Sequence, residues 1–299
     1  MRLLLCTLLL LLAALPLSAQ VYPQSGYHPA PIGKDNICFR YRFELGDTLY
    51  YTVHALDSVK GAAKPVLQKD RTERIMLYCD SVDKRRGIYR LRQRLLSSTS
   101  VESADTTKTT RSTSPWIGRT STLYIDTLGR RLFASVDDTT RIALNTGGPL
   151  QPWLVVDLGQ SCGRQNESWL REDSTLIPEN GAPEPAYRYQ SLFRVLDNVD
   201  TLGRHFDQLQ YAQSGIGAFD VDVNGTSMHY MGTVNSYGKL TMDRALRIPY
   251  HLFATAEIVY TITVGNGGKE EGKHLILMHY SLDELRSKDP RRRFPLRKS

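Results

Sequence analysis

Cysteine is scarce in this chain, with four in 299 residues and no C-x-x-C spacing. That excludes a disulfide-framework miniprotein and gives no sign of a zinc or dithiol redox site. Long apolar runs are equally rare. Only Leu3–Leu17 qualifies, and no later stretch approaches the roughly 20 apolar residues a membrane-spanning helix needs. No H-x-H, H-E-x-x-H or G-x-S-x-G occurs, and the seven histidines are scattered. Neither a metalloprotease nor a serine hydrolase is recognisable, and no cofactor or metal is expected. A basic body is also missing. The formal charge is +7, but Arg286–Ser299 holds seven basic residues against Asp289, a net +6, and Arg2 supplies the rest. Residues 3–285 sum to zero, so no long-range field invites nucleic acid.

What is present begins with an export signal. Arg2, the Leu-rich run and the small residues Leu17-Ser18-Ala19 make residues 1–19 a secretory signal peptide, leaving Gln20 as the mature N-terminus. Cys6 lies inside the apolar run, so no lipid-bearing cysteine follows the cleavage site. The product is expected in the periplasm or outside the cell, neither lipid-anchored nor transmembrane. Residues 20–37, with Pro23, Pro29 and Pro31 and no periodicity, read as an extended leader.

From residue 38 to 285 the dominant period is two. Phe39, Tyr41, Phe43 and Leu45 share one face and Arg40, Arg42 and Glu44 the other, and Leu49, Tyr51 and Val53 repeat the pattern after a turn at Gly46-Asp47. The segments around Tyr89, Tyr187, Phe219 and Ile258 agree. The fold class predicted is mainly β, in curved antiparallel sheets forming a half-barrel or sandwich, with one wet face and few short helices. Helix is expected only near 150–158 and after the capping-box sequence Ser281-Leu-Asp-Glu284. His274–Tyr280 is apolar on both faces, so a cover over its second side is expected.

Turn chemistry supports the strands. Asn224-Gly225 is the favoured two-residue hairpin dipeptide. Gly265–Gly268 opens another hairpin. The segments 126–130, 200–204 and 235–239 share an Asp/Asn-x-x-Gly-basic form that fits hairpin turns. This repetition is compatible with two similar halves, 38–140 and 166–282, and equally with independent hairpins. Residues 97–114, with twelve Ser or Thr among eighteen, form either a polar edge hairpin or a disordered loop. The basic tail 286–299 is expected to be disordered and to touch anionic membrane surfaces weakly.

Site-like features are few. Asp220, Asp222 and Asn224 match the first half of a calcium loop, but Met231 stands where the bidentate Glu belongs, so a plain hairpin is the simpler reading. Ser161-Cys162-Gly163 is the one small-residue setting around a potential nucleophile. Cys38, Cys79 and Cys162 are expected to be unpaired structural thiols, and Cys38 with Cys79 is disfavoured because a meander places them at opposite strand ends. Tyr187, Tyr189, Phe193 and Val195 form an inward row that serves either as core or as the apolar wall of an open ligand pocket.

The stretch Phe39-Arg-Tyr-Arg-Phe-Glu-Leu-Gly-Asp-Thr-Leu-Tyr-Tyr, Trp169 after Asn-Glu-Ser, and the hairpins from Tyr187 to Thr263 resemble a diffuse group of exported bacterial β-rich proteins. A more distant likeness is to half-barrel carriers of the lipoprotein-localisation type, which implies a curved sheet holding an acyl chain. Because the recognisable motifs are all structural, a non-catalytic binding or interaction module of the envelope is favoured, its partner an envelope protein or an apolar ligand. The alternatives are a periplasmic carrier of an apolar ligand or lipid, and a motif-poor hydrolase. A membrane barrel lacks the regular ten-residue lipid-facing strands it would need.

Overall fold

The computed structural model describes residues 36–61, 66–104, 107–112, 114, 117–136, 152–173, 179–180, 186–201, 203–223, 226–265 and 267–294. Residues 1–35, which include the expected signal peptide and nearly all of the expected leader, lie outside them. Alternation becomes sheet almost everywhere. In chain order the strands are β1 (Ile37–Cys38), β2 (Thr48–Gly61), β3 (Leu67–Asp83), β4 (Ile88–Ala104), β5 (Thr107–Arg111), β6 (Thr120–Asp126), β7 (Arg131–Val136) and β8 (Cys162–Gly163). They continue with β9 (Ser168–Asp173), β10 (Glu179–Asn180), β11 (Ala186–Val195), β12 (Val199–Thr201), β13 (Arg204–Val223), β14 (Thr226–Asp243), β15 (Pro249–Val264) and β16 (Lys269–Arg286).

β1 and β8 pair alone, and the other fourteen strands form one sheet in the order β10-β7-β6-β4-β3-β2-β16-β15-β14-β13-β11-β9. β5 adds to β4, and β12 to β13. Every pairing of these strands is antiparallel except β10 with β7. The two ends of this order, β9 and β10, are separated by only residues 174–178, so the sheet curls until its edges approach. It is an open, curved sheet and not a closed barrel. Asp35–Ser299 makes one compact unit, so the two stretches considered as halves meet edge to edge at the β2–β16 seam instead of forming separate domains.

Inside the curl, register stacks the apolar phases of successive strands. Val53, Tyr280, Leu252, Leu240, Leu209 and Val195 stand in one row across β2, β16, β15, β14, β13 and β11, and all six are buried. Each such side chain contributes about 1.5–3 kcal/mol relative to exposure. The base of the curl is filled by two segments without ladder pairing. Phe39, Tyr41 and Phe43 keep the alternation expected of them and are buried. Their segment is nevertheless no strand, because its N–H groups go to three different places: Phe39 to Ser161 O, Tyr41 to Thr127 O and Arg42 to Arg247 O.

The second filler, residues 152–161, replaces the helix expected near 150–158. Its carbonyls are claimed by the sheet and by the first filler: Pro152 O accepts from the Tyr280 hydroxyl at 3.0 Å and Leu158 O from the Trp169 indole at 3.0 Å, while Val156 O accepts from the Tyr41 hydroxyl at 3.0 Å. Leu158 N–H in turn donates to Leu128 O at the β6–β7 turn. The segment therefore bridges both edges of the sheet, and bonds of this kind replace the i to i+4 pattern of a helix.

Other expectations are corrected. Cys38 and Cys162 form a disulfide between β1 and β8, because register sets them opposite one another. Among the described residues only Cys79 is free, and it is buried. Ser281–Glu284 does not start a helix: β16 runs on to Arg286 against Thr48–Tyr51 of β2, with a bulge between Leu282 and Glu284. Asn235–Lys239 is not a turn but the middle of β14, where Gly238 is required because a Cβ there would come within 2.3 Å of the Tyr211 ring. The turn at 126–130 does form, with Gly129 at φ 81°. Of the Ser/Thr-rich stretch, Ser100–Ala104 of β4 pairs with Thr107–Arg111 of β5 as a polar edge pair. Leu275 and Leu277 are both 42% exposed, and no described element covers them.

The tail is docked as far as Phe294. Arg292 is buried and donates to Asp47 at 2.7 Å, to Leu246 O and to Arg42 O. Phe294 packs edge-on against Tyr250 at 5.8 Å. A desolvated guanidinium needs such partners, and Asp47 sits at the base to supply one.

Candidate functional site

The proposed ligand wall lies on the inner phase of β11, with Tyr187, Tyr189, Phe193 and Val195 opposite Gly217, Gly215, Tyr211 and Leu209. Phe193 stacks on Trp169 at 5.3 Å and approaches Tyr211 at 6.2 Å. Both Phe193 and Val195 are fully buried. These two are core, so this half of the row offers no open trough. Tyr189 is half-buried beside Gly215, and the Tyr187 side chain lies outside the described residues.

Above the apolar core the interior turns polar. Asp57 on β2 accepts from the Arg71 Nε at 2.6 Å and contacts the His274 Nε2 at 3.1 Å. Arg71 Nη1 donates to Glu73 at 3.0 Å, and the Ser98 hydroxyl reaches the same carboxylate oxygen at 3.5 Å. Asp57, Arg71 and Glu73 are all buried. Burial alone would raise the Asp57 pKa, but the hydrogen bond from His274 and the charge of Arg71 outweigh it, so the carboxyl titrates below the usual range. Arg71 Nη2 and Glu73 Oε2 have no protein partner. The signal for this cluster was in the sequence: Asp57 continues the phase of Leu49, Tyr51, Val53 and Ala55, and Arg71 and Glu73 precede Ile75 and Leu77 in theirs. Charges on an apolar phase mark a buried network.

The serine of this cluster and the described cysteines are otherwise engaged. Ser98 donates to Glu73 and not to an imidazole. Cys162 is consumed in the disulfide, so Ser161-Cys162-Gly163 offers no nucleophile. Burial first, then the charge of Asp47, pushes the Cys79 thiol up to about 12, where almost none is thiolate at neutral pH. The strands on either side of the calcium-like segment pair as far as Val223 opposite Thr226, with Asp220 held by His229 at 2.7 Å; Asn224 and Gly225 lie outside the described residues. Among the described residues no three His, Cys, Asp or Glu side chains converge as a metal site.

The outer face carries a feature that sequence reasoning missed. Leu56, Leu277, Thr255, Tyr237, Ala212, Leu192 and Leu170 fall in one register row across β2, β16, β15, β14, β13, β11 and β9. The leucines and Tyr237 are 41–61% exposed. The next row toward the long hairpins includes Glu257 and Glu172; the next row toward the base includes Lys239 and Arg194. The row is thus flanked by carboxylates on one side and by cations on the other, with Leu275 and Phe253 extending its apolar surface into the flanking rows near the β2–β16 seam. Each residue looks like an isolated surface leucine in sequence, and only the register joins them.

No family model matches the chain, and no curated protein matches it. Among solved structures, OccK7 (OpdD) of Pseudomonas aeruginosa is similar over 80% of this chain and 100% of that chain, with 9% identity and a TM-score of 0.23. OpdQ of the same organism is similar over 80% of this chain and 100% of that chain, with 8% identity and a TM-score of 0.22. Likeness at this level carries no argument about fold or function. Among the described residues no helix is long and apolar enough to cross a membrane.

Proposed function

We propose that this chain is an exported, non-catalytic interaction module of the cell envelope that binds a protein partner along the outer apolar row. The observation carrying the reading is the contrast between the buried inner row from Val53 to Val195 and an outer row in which Leu56, Leu277, Tyr237, Leu192 and Leu170 are exposed. Apolar surface gathered into a line marks interaction more than leucines scattered singly do. Rows on one face of a strand lie about 7 Å apart, and charge appears one row away on either side, so the line is far too narrow for the lipid-facing band of about 25 Å that a membrane barrel needs. A partner with an apolar ridge flanked by opposite charges fits it, and the borders would fix the orientation of that ridge. Export is supported by the leading signal sequence and by the Cys38–Cys162 bridge, since disulfides persist in oxidising compartments. The carrier reading loses support because Phe193 and Val195, half of its proposed ligand wall, are buried in the core.

A photo-crosslinking residue at Leu192, compared with one at Lys84 on the opposite, basal turn, tests this in native envelopes. One protein adduct is expected from position 192 alone, abolished by Leu170→Asp with Leu277→Asp. Equal labelling from both positions, lipid adducts only, or no adduct at position 192 would overturn the proposal.

A further inference from the structure

Three of the seven histidines, distant in sequence, meet on the outer face beside the β2–β16 seam. His54 and His279 are directly opposed across β2 and β16. His251 on β15 stacks on the His279 ring at 5.4 Å between centroids and 28° between planes. His54 is exposed and His279 partly so. The His54 Nδ1 is engaged by the Thr72 hydroxyl at 3.3 Å, and the His251 Nδ1 by Ser281 at 3.2 Å. No acid or base is hydrogen-bonded to His54 or His279 among the described contacts, whereas His205, His229 and His274 each have a carboxylate partner.

We propose that His54 and His279 together bind an imidazole-seeking divalent transition-metal ion such as zinc or copper, with water completing the coordination. Directly opposed residues of an antiparallel pair have Cβ atoms about 4.5–5.5 Å apart. Two imidazoles from such positions can converge on one ion at about 2.0–2.1 Å each. The Thr72 hydroxyl fixes one nitrogen of His54 and so leaves Nε2 to face the metal, the usual role of an outer partner to a histidine ligand. With two protein ligands and solvent access, the site is an exchangeable surface one and not a structural one. It lies in the neighbouring row toward the base, the row of Lys239 and Arg194, two residues along the same strands from Leu56 and Leu277.

The test is calorimetric titration of the mature, disulfide-bonded chain with zinc chloride, and separately with copper(II), whose nitrogen hyperfine pattern reports imidazole ligation. One equivalent should bind with micromolar affinity. His54→Gln and His279→Gln should each weaken it by about tenfold or more, while His205→Gln and His229→Gln leave it unchanged. Both seam histidines project from the outer face, and the melting temperature without metal checks that the variants fold. If a variant does not fold, protection of His54 and His279 from carbethoxylation by zinc in the unmodified protein gives the same answer. Unchanged binding in both seam variants, no binding to the unmodified chain, or no protection of these two rings would overturn the proposal.

Discussion

Two side chains make the stability of this protein depend on pH in separate windows. His279 titrates below the usual histidine value of 6.5, chiefly because burial disfavours its charged form and secondarily because His54 stands beside it. The unfolded chain then takes up this proton at a higher pH than the folded one, so stability is lost as pH falls below 6.5 through the folded value. Asp57 is also depressed below its ordinary 3.8. Its contribution is present above that value and is lost as pH falls further, through the folded pKa. Denaturant midpoints measured with chelator present should therefore fall in two steps on acidification. His279→Gln should flatten the upper step and leave the lower one. An upper step of the same size in that variant would count against this assignment.

At the scale of elements, the two-residue strands β1 and β8 matter more than their length suggests. Their disulfide joins the segment carrying Phe39, Tyr41 and Phe43 to the filler that bridges both sheet edges. Paired Cys38→Ser and Cys162→Ser substitutions should cost about 2–4 kcal/mol, read as a lower denaturant midpoint under non-reducing conditions. Reduction of the unmodified chain should give the same loss, and Cys79→Ser should reproduce neither. The strands themselves were legible because alternation is local. Leu49, Tyr51 and Val53 declare their phase without help from the rest of the chain, and Asp126–Arg130 declares its turn. Pairing was not legible, because it depends on register between distant segments. Cys38 meets Cys162, and His54 meets His279, only through neighbours that sequence spacing does not encode. The stretch 152–158 misled for a related reason: Leu154 and Leu158 have helical spacing, yet Tyr41, Trp169 and Tyr280 take the carbonyls a helix would use. Gly238 misled because a glycine that admits a neighbouring ring reads the same as one that makes a turn.

For the whole molecule, the spatial order runs β9 to β16, crosses the seam to β2, and continues to β7. The chain's first long strand and its last are therefore neighbours in the middle of the sheet, and Arg292 fastens this region from the base. Arg292→Ala leaves Asp47 buried without its cation and should cost about 3–5 kcal/mol. Truncation after Arg286 should cost at least as much, measured by chemical denaturation; a loss below about 1 kcal/mol in both would mean the docked tail is ornamental to stability. The same arrangement has a consequence for synthesis. Leu56 and Leu277, like His54 and His279, are brought side by side only when β16 closes against β2. A fragment that ends between β15 and β16 contains Leu56 and His54 without Leu277 and His279, and so lacks both seam pairs. On the proposed readings, the seam part of the outer face reports that β16 has closed on β2: a partner or metal ion that reads Leu56 with Leu277, or His54 with His279, meets those pairs only after β16 has been made and has docked.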